Sequence, residues 1–193
     1  MNATDATDVK NVLLVCGSLR KRSLNRQVGE RAAAMLGEKD AGLRTRWLDY
    51  ADLPYMNQDI EFPTPAAVTR VRADVMASDA VWFFSPEYNH GIPGVLKNLL
   101  DWLSRPLEPG SEDTAMKGRL TLFSCAGGGA KARYCSACLE ETLAFLKTDL
   151  VETMHVQVAL DRQDYTTDVL TLSAAEELAL RTQSQLLADR LAV

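Results

Sequence analysis

Several classes of protein are excluded by what this chain has little of. None of its apolar runs approaches the roughly 20 residues that a helix needs to cross a bilayer. Positive charge is in deficit: 21 Lys and Arg against 26 Asp and Glu leave a net charge of −5, which disfavours general binding to nucleic acid or to an anionic membrane. Histidine occurs twice, as His90 and His155, and cysteine four times, with no spacing that completes a zinc or iron–sulfur signature. The first eight residues are polar and carry two aspartates, without the basic and apolar regions of a secretory signal. The expectation is a cytoplasmic chain with reduced thiols. Repeats, low-complexity tracts and the Gly-Lys-Ser/Thr of a Walker phosphate loop are also missing.

What is present is an ordinary globular composition, 47% hydrophobic and 24% charged. Residues 1–9 read as a loose polar tail and residues 10–193 as a single domain. The stretch Ser85-Pro86-Glu87-Tyr88-Asn89-His90-Gly91-Ile92-Pro93-Gly94 organises the rest. The apolar run Ala80–Phe84 ahead of it reads as a strand buried on both faces, and Val95–Leu103 behind it as a helix with Pro93 in its first turn. Two further apolar runs, Asn11–Cys16 and Arg119–Ser124, read as buried strands, Arg44–Leu48 as an edge strand and Thr153–Leu160 as a fifth strand. Helices are expected after Ser23 to about Glu38, with Leu24, Val28, Ala32, Met35 and Leu36 on one face, and over about 65–78, 131–147 and 173–191. Asp161–Asp168 reads as a polar loop.

Strands alternating with helices imply right-handed crossovers and a parallel sheet. Five strands fit the flavodoxin-like order 2-1-3-4-5, a three-layer α/β sandwich whose ligands bind where the strand order reverses, between strands one and three. Both loops at that switch point carry chemistry. Gly17–Arg26 packs four basic residues into an acidic protein ahead of a helix N-terminus, where free N–H groups and the helix dipole favour an anion. Ser18, Ser23 and Asn25 add oriented polar groups, although Ser23 also has the place of a simple N-cap and the arginines that of solvated charges.

Taken together these stretches resemble the NADPH-dependent FMN reductase family, the flavodoxin-like group that includes quinone, chromate and azo-dye reductases. The resemblance rests on Gly17-Ser18-Leu19-Arg20 with Ser23 and Asn25, on Asp52-Leu53-Pro54 with Asn57-Gln58-Asp59, and on Ser85-Pro86-Glu87-Tyr88-Asn89. It continues through Ile92-Pro93-Gly94 and Leu96-Lys97-Asn98 to Asp101-Trp102-Leu103-Ser104-Arg105, and covers roughly residues 10–160. It implies that Ser18, Arg20, Ser23, Leu24 and Asn25 hold the FMN phosphate. It implies that Pro86, Glu87, Tyr88 and Asn89 line the flavin ring, largely through backbone groups, with Ser124 and Gly127 at the ring's other edge. It further implies NAD(P)H as electron donor, a small-molecule acceptor such as a quinone or free flavin, ping-pong kinetics, and a homodimer or homotetramer with the helix after Pro93 at the contact. No side chain need act as nucleophile; Tyr88 and His90 are candidate substrate contacts, His90 as a proton donor.

Rival readings remain open at this point. Cys16 with Arg22 and Ser23 has the C-x(5)-R-S spacing of a low-molecular-weight phosphatase loop, in which the cysteine attacks phosphorus, with Asp164 as the late acid. A flavodoxin-like electron carrier would need no NAD(P)H site, and a flavin-binding regulator would need no turnover. Cys135 and Cys138 form a C-x-x-C pair, but inside a helical pattern that favours buried small hydrophobes over redox chemistry. His155 lies in a strand pattern and reads as structural.

Overall fold

In the computed structural model, which describes residues 9–39, 42–151 and 155–192, the apolar runs form the centre of one parallel sheet. The strands are β1 (Lys10–Cys16), β2 (Leu43–Trp47), β3 (Ala80–Pro86), β4 (Leu120–Gly127), β5 (Asp149–Leu150) and β6 (Val156–Ala159). The helices are α1 (Leu24–Lys39), α2 (Ala66–Met76), α3 (Gly94–Leu103), α4 (Arg133–Phe145), α5 (Arg162–Thr167) and α6 (Ala174–Leu191). The spatial order is β2-β1-β3-β4-β5, all parallel, so the flavodoxin-like order holds. The five-strand expectation is corrected in one respect: the fifth position is filled by two strands in succession. β5 lies beside Leu120 and Thr121 of β4, and β6 beside Ser124–Gly127. The two residues of β5 contain no apolar run, so periodicity gave them no signal. Of the expected strand Thr153–Leu160, Thr153 and Met154 lie outside the described residues, as do residues 1–8 of the expected tail.

Alternation along the central strands sorts the core into two layers. Leu13, Val15, Val81, Phe83 and Phe123 face α2, α3 and α4 through Val71, Val75, Leu96, Leu99, Leu100, Leu103, Leu139 and Leu143. Val12, Leu14, Trp82, Phe84 and Leu122 face α1 and α6 through Leu24, Val28, Ala32, Leu36, Leu180 and Leu187. Burying one such side chain contributes about 1.5–3 kcal/mol, so the strands are fixed by packing on both faces. β2 is different. Arg44, Thr45 and Arg46 are exposed on it, as suits a sheet edge that must not pair with another chain. Among the described residues no helix is long and apolar enough to cross a membrane.

The long block after β3 proves to be largely architectural. The Asn98 amide donates to the Pro54 carbonyl (3.0 Å) and accepts from the Met56 N–H (2.8 Å), and Trp102 Nε1 donates to the same Pro54 carbonyl (2.8 Å). Arg105 grips Glu61 with two bonds of 3.0 Å in the side-on geometry that suits guanidinium and carboxylate. These residues fasten the connection from Pro54 to Glu61 over α3. None of them lines the cavity at the strand ends.

Candidate functional site

The carboxyl ends of β1, β3, β4 and β6 surround one cavity of about 250 Å³. It is lined by Ser18, Arg20, Ser23, Leu24 and Asn25 from the first loop and α1, and by Pro86, Glu87 and Tyr88 from the loop after β3. Ala126, Gly127, Leu160 and Tyr165 complete it. The two switch-point loops are therefore adjacent in space as well as in topology. Glycine makes the approach feasible: a Cβ on Gly17 would lie 3.0 Å from Ser85 Oγ and 3.2 Å from Pro86 Cδ, and one on Gly127 3.1–3.3 Å from Ala132.

At one end of the cavity the first loop turns into α1. Ser23 is the N-cap, its Oγ accepting from the Arg26 N–H at 3.3 Å. Ser18 Oγ accepts from the Arg20 N–H at 3.3 Å. Asn25 is buried and spends its amide on the end of β4, accepting from the Ala126 N–H (3.0 Å) and donating to the Ala126 carbonyl (3.3 Å). It ties the loop to the sheet, so its amide is committed there rather than held out toward a ligand. The four basic residues divide. Arg20 and Arg22 bind Asp168, at 2.7 and 3.4 Å. Lys21 and Arg26 instead line a neighbouring cavity of about 410 Å³ that shares Ser18 and Arg20, with Arg26 stacked over Trp47 at 4.4 Å.

At the other end Tyr88 and Gly91 exchange main-chain hydrogen bonds of 3.2 and 3.1 Å around Asn89 and His90. Both central residues have positive φ, 50° and 61°, the geometry of a type I′ turn. Asn89 tolerates that conformation; His90 does so less readily, and its ring is stacked on Tyr134 at 4.2 Å. Asn89 and His90 do not line the cavity, whereas Tyr88 does and is half exposed. The Glu87 side chain has a role that the expectation of backbone contacts did not contain. Its Oε2 accepts from the N–H groups of Tyr134 (2.8 Å) and Cys135 (3.1 Å) and so caps α4, whose own N-cap, Ala132, has no side chain to do so.

Ser124 is placed elsewhere than expected. It is fully buried, accepting from Trp82 Nε1 (3.1 Å) and donating to Gln183 Oε1 (2.7 Å), on the α1–α6 side of the sheet. The physical reason is strand length: β4 runs three residues further, so its carboxyl end is Gly127 and Ser124 remains in the ladder. Two other side chains are corrected in the same direction. Cys16 is the last residue of β1, buried, with its thiol 3.6 Å from Ser23 Oγ and its pKa raised by burial, which is the reverse of an activated nucleophile. Asp164 is buried and accepts from the Asp161 and Thr171 N–H groups, so it is not free to act as an acid. The phosphatase reading loses its nucleophile and its acid. Cys135 is buried against Cys125 and Ser85, while Cys138 is only partly buried.

Tyr165, Leu160 and Asp168 were not anticipated here. Leu160 was expected as the end of the fifth strand and lies just past β6, while Asp161–Asp168, expected as a loop, carries α5, opened by a capping box between Asp161 and Asp164. That Asp-x-x-Asp spacing was the available signal. Tyr165 lines the cavity, and burial followed by the nearby Asp164 and Tyr88 raises its pKa against an opposing effect of Arg20.

The lining combines a helix N-terminus, hydroxyls and an arginine with two tyrosines, a proline and two leucines. Such a donor set suits a ligand with a phosphate and a flat apolar body. Comparison with known proteins agrees in kind. The family model described as NADPH-dependent FMN reductase matches residues 10–165. A quinone reductase of Pseudomonas putida is 37% identical over 142 residues, 72% of this chain and 73% of that one. An NAD(P)H-dependent FMN reductase of Pseudomonas aeruginosa is 38% identical over 142 residues, 72% of this chain and 71% of that one. Among solved structures, the flavoenzyme NAD(P)H:(acceptor) oxidoreductase FerB of Paracoccus denitrificans matches with a TM-score of 0.74 at 28% identity, over 94% of this chain and 96% of its own.

Proposed function

The chain belongs to the NADPH-dependent FMN reductase family, whose members use FMN with NAD(P)H as electron donor, and from that premise we propose that it passes reducing equivalents from NAD(P)H to a quinone or free flavin at the cavity just described. When bound, FMN supplies the two-electron chemistry. The chain supplies binding and orientation. Ser18, Arg20, Ser23 and the N–H groups at the start of α1 would hold the phosphate. Pro86, Glu87, Tyr88, Gly127, Leu160 and Tyr165 would flank the ring. Glu87 has a further duty, since by capping α4 it fixes the loop after β3 against the loop after β4. Tyr88, exposed at the rim, would meet the incoming donor and acceptor in turn at the same place, which gives ping-pong kinetics. His90, turned onto Tyr134, is better suited to stiffening that loop than to proton transfer.

The observation that carries this reading is the convergence of two distant loops, centred on Arg20 and Tyr88, on one cavity at the switch point. Assembly as a homodimer or homotetramer is part of the same proposal. It is supported by a groove between α3 and α4 beside which Phe145 stands 82% exposed. Cytoplasmic residence is supported by four unpaired cysteines.

The test is spectroscopic and kinetic. Purified protein mixed with FMN and desalted is expected to retain the flavin absorbance, to bleach on addition of NADPH under nitrogen, and to recover it when a quinone is added. Initial rates at several fixed quinone concentrations are expected to give parallel double-reciprocal lines. Absence of both flavin retention and NADPH oxidation overturns the reading; NADPH oxidation with intersecting lines overturns only the ping-pong order.

A further inference from the structure

The segment that follows β6 is fastened to the first loop far more thoroughly than a surface connection requires. Arg20 Nη1 donates to Asp168 Oδ1 at 2.7 Å, and Arg22 Nε lies 3.4 Å from Asp168 Oδ2. Arg22 Nη2 donates to the Thr167 carbonyl at 2.9 Å. Gln27 of α1 completes the attachment: its Nε2 donates to the Asp168 carbonyl and its Oε1 accepts from the Leu170 N–H, both at 2.9 Å. Asp168 itself sits in the left-handed region, φ 56°, a conformation that Asp and Asn adopt more readily than other residues with a side chain.

Arg20 lines the cavity and Asp168 does not. The carboxylate thus holds the guanidinium from outside the lining of the space a ligand would use. A second bond, from Arg20 Nη2 to the Arg22 carbonyl at 2.7 Å, fixes the other arm. A guanidinium carries five N–H donors in a rigid planar fork. With two of them so held, the plane is set and the remaining donors keep one direction. An arginine without such a partner would have to be immobilised at the moment of binding.

We propose that Asp168 is a positioning residue for the phosphate end of the cavity: it presets Arg20 for a flavin phosphate monoester and so contributes to selection of FMN over riboflavin. The inference rests on the FMN reading above and extends it to a residue beyond the family match, which ends at residue 165. No step of the redox chemistry passes through Asp168.

The experiment compares two ligands that differ by the phosphate alone. Flavin-free full-length protein is titrated with FMN and with riboflavin, following quenching of flavin fluorescence. The variants are Asp168→Asn, Arg20→Gln and the pair together. Asn keeps the tolerance for positive φ and leaves the main-chain bonds to Gln27 intact, so it removes the charge without unfastening the segment. The expected result is that Asp168→Asn weakens FMN about fivefold, the scale of coupling between groups in direct contact, and leaves riboflavin unchanged. In the Arg20→Gln background the same change is expected to have no further effect on FMN. Equal weakening of both flavins overturns the proposal, because the segment would then serve structure alone. Unchanged FMN affinity also overturns it, as does tighter binding, which would make the carboxylate a rival of the phosphate. If the wild-type chain binds neither flavin, the proposal falls together with the FMN reading; if the wild type prefers FMN and the variants retain that preference in full, only the proposal falls.

Discussion

The two ends of the cavity are held by different forces. The first loop is organised by side chains that reach across the sequence: Asn25 to Ala126, Arg20 and Arg22 to Asp168, Gln27 to Leu170. The loop after β3 is organised mainly from its own backbone and from a helix end, by the Tyr88–Gly91 turn and the Glu87 cap on α4. The end expected to meet an anion thus keeps a net of charges around it, some exposed and open to salt. The end expected to meet a flat ring is shaped with no ion pair among the bonds described. Charge is concentrated where recognition needs it, and rigidity is obtained elsewhere by geometry.

Three perturbations probe that contrast. The largest effect is expected from Asn25→Ala, which removes both buried hydrogen bonds that tie the first loop to Ala126 of β4. Each lost bond contributes about 0.5–1.5 kcal/mol, read as a fall in the urea unfolding midpoint, and the contrast breaks if the loss is below that of the next variant. Glu87→Ala removes a cap from α4 and is expected to cost about 1 kcal/mol, with weakened retention of FMN and riboflavin alike because the ring end is what loosens. An effect on FMN alone would show that Glu87 acts on the phosphate end. The smallest effect is expected from salt. At 1 M ionic strength the screening length is about 3 Å, and exposed ion pairs contribute only about 0.2–1 kcal/mol. Hydrogen exchange of the Leu170 amide is therefore expected to speed up by no more than about fivefold, while the Tyr134 and Cys135 amides, bonded to a half-buried carboxylate, change less. Equal acceleration at both places would erase the distinction.

Much of this was legible in the chain. Runs such as Val12–Val15 and Val81–Phe84 are apolar on both faces because the strands they form are covered on both faces, and that one fact yields the parallel sheet, the crossovers and the switch point. The loops at Ser18–Asn25 and Pro86–Tyr88 then followed from their position. What did not follow were pairings between remote side chains. Nothing near Glu87 in the sequence announces that it caps a helix beginning at Arg133, and nothing near Arg20 points to Asp168. Ser124 was misplaced because an apolar run does not mark the residue at which a strand stops bonding to its neighbours; β4 continues through small residues to Gly127. α5 was missed because six polar residues have no apolar stripe.

The tether between Arg20 and Asp168 spans 148 positions. On a chain made from its amino end, the loop carrying Arg20 emerges well before the carboxylate that fixes it. Strands β1 to β4 precede that carboxylate, but α6, which covers one of their faces with Leu180 and Leu187, follows it. A stalled or truncated chain ending before residue 161 would accordingly lack both α6 and Asp168, with one face of its sheet partly bare and an arginine still searching for its direction.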